Sequence, residues 1–144
     1  MAITHLEAKM AEITKELMDM INAPERIGVL ATTDSQGQPN IAYFGSLRMN
    51  PDHTMVMGLG SNRTLANLRQ NPKAAFICLA EGPVSFSTPG CRLYLTVKEL
   101  DTQGELLAQL KAGIAAKAGE AAAEMITAAA LFKVSEVRPL VDMG

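Results

Sequence analysis

Apolar residues recur at helical spacing near the start of the chain. Leu6, Met10, Ile13, Leu17 and Met20 or Ile21 follow at steps of three or four, which predicts an amphipathic helix from about Thr4 to Asn22. Thr4 caps it, Glu7 completes a capping box, and Ala23-Pro24 stops it. The pattern then becomes extended. Arg26–Thr33 (RIGVLATT) reads as a strand, nearly apolar on both faces. The turn cluster Asp34–Pro39 makes the next strand, about Asn40 to Arg48, its hairpin partner. In that partner Ile41, Tyr43, Gly45 and Leu47 share one face, with Ala42, Phe44, Ser46 and Arg48 on the other. His53–Leu59 predicts a third strand after the turn Asn50-Pro51-Asp52, with His53 as an exposed strand residue, and Lys73–Ala80 a fourth. Glu81–Cys91 is loop-like, with two prolines and two glycines. Arg92–Leu100 alternates as a fifth strand, and Leu131–Val137 is the sixth. Between them Asp101 caps a long helix to about Ala118, striped by Leu106, Leu107, Leu110 and Ile114. The Ala-rich stretch Ala121–Ala130 continues helical or turns.

Consecutive strands joined by short turns pair antiparallel. Six strands this apolar favour a small closed or split barrel over an open sheet with exposed edges. The expected fold is mainly β with flanking helices, a six-stranded antiparallel barrel in one domain, 1–144.

One short segment carries candidate chemistry. Ser61–Asn71, between the third and fourth strands, reads as a helix entered from Gly58 and Gly60, capped by Ser61 or Asn62 and ended by Asn71-Pro72. Its first turn holds Arg63 and Thr64 and no carboxylate. A helix N-terminus carries roughly half a positive charge, so a cation there is unfavourable by about 0.3–1 kcal/mol unless an anion sits between. Free N–H groups, two hydroxyls and a guanidinium in one turn make a phosphate site. Leu65 and Leu68 are core residues, and Asn67 serves the fold by bonding a neighbouring loop or the turn at Gly60.

Composition narrows the classes. The 144 residues are 48% hydrophobic and 19% charged, enough for a sizeable core. A net charge of −2 and 4% aromatics without tryptophan exclude a nucleic-acid surface. No apolar run is long enough to span a membrane, and the charged residues of the N-terminal pattern exclude a signal peptide, so the expected location is cytoplasmic. Cys78 and Cys91 lack metal-ligand spacing; Cys78 reads as a buried small residue and Cys91 as a more exposed loop residue, with a bond between them unsupported. No metal site and no catalytic nucleophile is expected; Ser46 has no His or Asp at a triad spacing.

The element order and three stretches resemble the FMN-binding split barrel family, the pyridoxamine 5'-phosphate oxidase-like proteins. The stretches are RIGVLATTDSQGQPNIAYFGSL, GLGSNRTLANLRQNPKAAF and RLYLTVKEL. The second is the specific one, with Arg63-Thr64, Asn67-Leu68, Asn71-Pro72 and Ala74-Ala75-Phe76 in register. The resemblance implies the split form of the barrel, a six-stranded antiparallel split β-barrel, with FMN at a homodimer interface, a small-molecule or protein redox partner and an oxidoreductase or electron-transfer role. It implies that Arg63 and Thr64 bind the phosphate with help from Ser61 and the Asn62 backbone. Tyr43, Phe44, Gly45 and Ser46 would line the isoalloxazine ring, with Arg48 reaching the phosphate or the ring edge. Dimer contacts would include parts of Glu81–Cys91 or the last strand. The chain lacks the C-terminal Arg/His cluster of the authentic oxidase, so the resemblance does not extend to oxidation of pyridoxamine phosphate. Related barrels bind haem or a deazaflavin, which is one alternative, and a cofactor-free dimeric regulatory or interaction domain is the other.

Overall fold

The structure, a computed structural model, describes residues 13–141. Its elements are α1 (Lys15–Ile21), β1 (Ile27–Thr33), β2 (Pro39–Tyr43), β3 (Arg48–Met49), β4 (Met55–Leu59), α2 (Arg63–Gln70), β5 (Lys73–Leu79), β6 (Gly90–Asp101), α3 (Glu105–Ala118), α4 (Glu120–Glu124) and β7 (Ala128–Pro139). The strands form one seven-stranded sheet in the order β2-β1-β5-β6-β7-β4-β3, with every pair antiparallel. The fold is thus mainly β with flanking helices, a curled antiparallel half-barrel. No helix among the described residues is long and apolar enough to cross a membrane.

Seven strands stand where six were expected, because the second predicted strand divides. β2 and β3 are neighbours in the chain, yet they lie at opposite ends of the sheet order. β2 pairs with β1 and β3 with β4, so Phe44–Leu47 must cross from one edge to the other. The crossing breaks the period-two alternation. Leu47 turns into the core, away from the exposed side that Ile41 and Tyr43 occupy. No β-ladder joins the two edges, and backbone carbonyls there need another donor.

Arg26 supplies it. Its side chain is only 3% exposed. Nε donates to Ile21 O at 2.7 Å, Nη1 to Phe44 O at 2.9 Å, and Nη2 to Leu47 O. The guanidinium also lies 5.1 Å from the centroid of the Phe76 ring, a cation–π contact. Burial pulls its pKa below the ordinary arginine value. Asn22 adds two bonds, taking the Met49 N–H on Oδ1 at 2.7 Å and giving Nδ2 to Met49 O at 2.9 Å. The chain after α1 therefore stitches the split with side chains instead of strand pairing. Gly28 makes room for this: a Cβ there would collide with both the Phe76 ring and the Arg26 guanidinium.

Several boundaries move for local reasons. Thr14 is extended (φ −89°, ψ 167°) and accepts from the Leu17 N–H, so α1 begins at Lys15; the Thr4 cap and Glu7 box fall outside the described residues. His53 lies in the turn before β4 with φ +70°, and it is exposed there as a turn residue. Cys91 is the second residue of β6 and is buried, where a loop was expected. Ala128–Ala130 belong to β7, pairing with β4 through Leu59–Met57 and fully buried. Helix propensity loses there to burial of small residues in a central strand. α3 packs on β4 and β7, and a Cβ at Gly58 would press on Leu110 and Ile126 at 3.0 and 3.1 Å. At the start of α3, Asp101 accepts from the N–H groups of Gln103, Gly104 and Leu107 at 3.1, 2.6 and 2.9 Å.

Gly28→Ala is expected to destabilise the fold by about 1–3 kcal/mol, the usual cost of overpacking. Guanidinium denaturation checks this, and an unchanged midpoint would mean that Arg26 and Phe76 move aside freely. Asp101 gives a pH dependence. The backbone N–H groups, that of Leu107 first, hold its carboxyl below the ordinary carboxylate range. A depressed folded pKa stabilises fully above the unfolded pKa and is lost as pH falls through the folded one. The melting temperature of the wild type should therefore exceed that of Asp101→Asn near neutral pH, and the gap should shrink below about pH 4. A gap constant down to pH 2 would refute this.

Candidate functional site

α2 is fixed to the sheet from its inner face. Asn62 is extended (φ −130°, ψ 178°), and its Oδ1 accepts from the Leu65 N–H at 2.9 Å. Leu65 and Leu68 enter the core. Asn67 Nδ2 donates to Thr32 Oγ1 at 3.0 Å and Asn71 Nδ2 to Thr33 Oγ1 at 2.9 Å. Two amide–hydroxyl bonds thus tie the helix to consecutive residues of β1. The partner of Asn67 is that strand, and not the loop or the Gly60 turn expected from sequence. Asn71 also caps the C-terminus, with its N–H on Asn67 O at 2.7 Å, before Pro72 leads into β5.

This anchoring aims the helix N-terminus outward. Ser61, Asn62 and Arg63 are exposed, and the first turn holds no acid. Asn62 satisfies Leu65, whereas the N–H groups of Arg63 and Thr64 have no acceptor among the described residues. Thr64 is only 2% exposed, so its hydroxyl is not part of this surface, and the exposed residues of the turn are Ser61, Asn62 and Arg63. A hollow of about 330 Å3 opens beside the turn, lined by Ser61, Asn62, Arg69, Thr102 and Thr127 among others. Arg69 lies seven residues after Asn62, on the same helix face, and that spacing is legible in sequence. Thr102 and Thr127 come from the β6–α3 turn and the residue before β7, and only the fold brings them here.

The second predicted group lies at the end of β2. Tyr43, Gly45 and Ser46 are exposed and Phe44 is half-buried. The Phe44 N–H bonds Gly28 O at 3.0 Å and its carbonyl holds Arg26, so this backbone is fixed on both sides. α2 packs against both β1 and β2, which puts the two groups on adjoining elements. Arg48 sits apart from Ser46, in β3, with Nη1 at 3.4 Å from Asn22 O.

The outer face of the sheet is unlike a solvated one. Tyr43, Val29, Ile77 and Arg92 form one cross-strand row, and Ile41, Ala31, Ala75 and Tyr94 the next. Ile41 is 70% exposed and Tyr43 62%. Antiparallel strands facing water normally alternate apolar with polar.

The comparisons with known proteins agree with this architecture. The family model described as pyridoxamine 5'-phosphate oxidase matches residues 13–140. No curated protein matches the chain in sequence. Among solved structures, HupZ of Group A Streptococcus is 25% identical, over 87% of this chain and 91% of that one, with a TM-score of 0.71. An FMN-binding protein from Syntrophomonas wolfei is 24% identical, over 94% and 93% of the two chains, with a TM-score of 0.76. HutZ, a haem storage protein from Vibrio cholerae, is 20% identical over 98% and 93%, with a TM-score of 0.59. With a family match spanning nearly all the described residues and a curled antiparallel sheet to go with it, the chain belongs to the pyridoxamine 5'-phosphate oxidase-like split barrel family.

Proposed function

We propose that the chain binds FMN between two copies of itself and serves as an oxidoreductase or electron-transfer protein. The observation that carries this reading is the first turn of α2, which has a guanidinium, two free N–H groups and no acid. An isolated cation at a helix N-terminus is electrostatically misplaced. A phosphate dianion resolves the conflict, because it is attracted by Arg63 and by the amides together. Arg63 holds the phosphate through its side chain and Thr64 through its N–H, with Ser61 adding a hydroxyl and Asn62 fixing the turn. Tyr43, Phe44, Gly45 and Ser46 provide the surface for the ring. Gly45 leaves the backbone open to close approach there. Arg48 supplies positive charge further along the same crossing. FMN, when bound, supplies the redox chemistry, and the protein supplies orientation and electrostatics.

Two copies fit because the outer face carries two largely apolar rows that a monomer would expose. A second copy covers them and brings a second surface to the end of β2, where Tyr43 already projects. Membership of the family supports the reading, and so does the FMN-binding protein from Syntrophomonas wolfei among its structural neighbours.

Freshly purified protein should take up FMN and show a flavin absorption spectrum. Arg63→Ala should weaken FMN binding by about 1.5–3 kcal/mol, the scale of a charge-assisted hydrogen bond, read from quenching of flavin fluorescence. Unchanged affinity overturns the phosphate assignment, and a Soret band with no flavin uptake moves the cofactor to haem. Ile41→Asp should convert a dimer to monomers in light scattering, since it places a charge in the apolar rows. A wild type that is monomeric, or a variant that stays dimeric, refutes the proposed interface.

A further inference from the structure

The inner face of the sheet carries a row that FMN binding does not use. Gly28 in β1 lies opposite Cys78 in β5, and Cys78 lies opposite Cys91 in β6. Both cysteines are buried and free. Their sulfurs stand 3.6 Å apart, in hydrogen-bond contact. Directly opposed residues of antiparallel strands have Cα atoms roughly 4.5–5.5 Å apart. A disulfide accepts roughly 4.4–6.8 Å. The two sulfurs can therefore close to bonding distance by side-chain rotation, with the β5–β6 pairing intact.

A cation overlies the same row. The Arg26 guanidinium occupies the space above Gly28, beside Cys78. Its hydrogen bonds go to three neutral carbonyls, and it forms no ion pair among the described residues. The hydrogen bond with Cys91 pulls the Cys78 thiol below its ordinary value, and Arg26 adds to this against the opposing effect of burial. The same bond, with burial, pushes Cys91 up. A thiolate formed in this pair is held by the S–H of the other cysteine across the 3.6 Å contact. Thiolate is the reactive form of cysteine. Cys78 is fully buried and Cys91 is 3% exposed, and Cys91 borders an open cavity of about 400 Å3 between α1 and the ends of β6 and β7, bounded by Leu17, Met20 and Pro139, the side from which a small oxidant would reach the pair.

We propose that Cys78 and Cys91 form a redox-active dithiol, which a peroxide oxidises to an internal disulfide and a small dithiol reduces again. In the forward step both S–H bonds break and one S–S bond forms. The two electrons cleave the peroxide O–O bond, and the two protons leave on its oxygens; hydrogen peroxide becomes two waters. In the return step the small dithiol is itself oxidised to a disulfide and delivers two electrons and two protons. The inference stands apart from FMN binding, since neither sulfur belongs to that site.

The test uses the full-length reduced protein. It is treated with hydrogen peroxide, quenched and denatured in acid, then brought to about pH 8 in denaturant, where free thiols ionise, and alkylated with iodoacetamide. The expected result is a mass lower by about 2 Da, the two hydrogens removed, with neither cysteine alkylated and a peptide joining Cys78 to Cys91. Dithiothreitol should restore both thiols. The far-ultraviolet circular dichroism should be unchanged on oxidation, because the bond joins strands already paired. Complete alkylation after peroxide overturns the proposal, as does a sulfinic product without the joined peptide. Loss of the dichroism spectrum on oxidation also overturns it.

Discussion

A buried guanidinium with no carboxylate to answer it among the described residues is the constraint on which the barrel depends. The chain leaves one edge of the sheet after Tyr43 and rejoins the opposite edge at Arg48. The four residues between make no ladder, and the carbonyls of Phe44 and Leu47 need another donor. Arg26 takes Phe44 O and Leu47 O, one at each end of the crossing, and Ile21 O at the end of α1. Taking an arginine out of water costs several kcal/mol. Three charge-assisted bonds and the face of Phe76 offset that cost. The planar fork explains why arginine stands here, since a lysine could not reach three divergent carbonyls while lying flat on a ring.

The same arrangement sets the geometry around it. Gly28 is bare because the guanidinium fills the place of its side chain. Phe44 is held by Gly28 O on one side and by Arg26 on the other, which fixes the exposed backbone at Gly45 and Ser46. α2 is pinned separately, through Asn67 and Asn71 to Thr32 and Thr33 at the far end of β1. One strand thus positions both halves of the proposed cofactor surface, the ring side near its start and the phosphate turn near its end. A rigid strand between two recognition groups limits the entropy lost on binding.

The legible part of the site was the part encoded by neighbours in sequence. The turn at Ser61–Thr64 could be read because caps, charge and helix period act over one or two turns. The burial of Thr64 could not be read, because it depends on which face α2 lays on β1. Thr102 and Thr127 were invisible for the same reason: each reaches the hollow from an element far along the chain. Arg48 read as a continuation of the Ser46 face, and alternation failed there because Leu47 turned into the core at the crossing. Cys91 read as a loop residue among glycines and prolines, yet pairing with β5 drew Gly90 and Cys91 into β6.

The sequence by itself determined the succession of helices and strands in outline, the antiparallel character of the sheet and the chemistry of the α2 turn. Those follow from local periodicity, turn residues and charge. Tertiary structure alone decided that one predicted strand would split, that Arg26 would close the gap, that two cysteines 13 residues apart would meet, and that the outer face would carry apolar rows. A period of two says that successive side chains alternate, but not which set faces inward. That choice is made by strands paired across the sheet, and their partners lie tens of residues away.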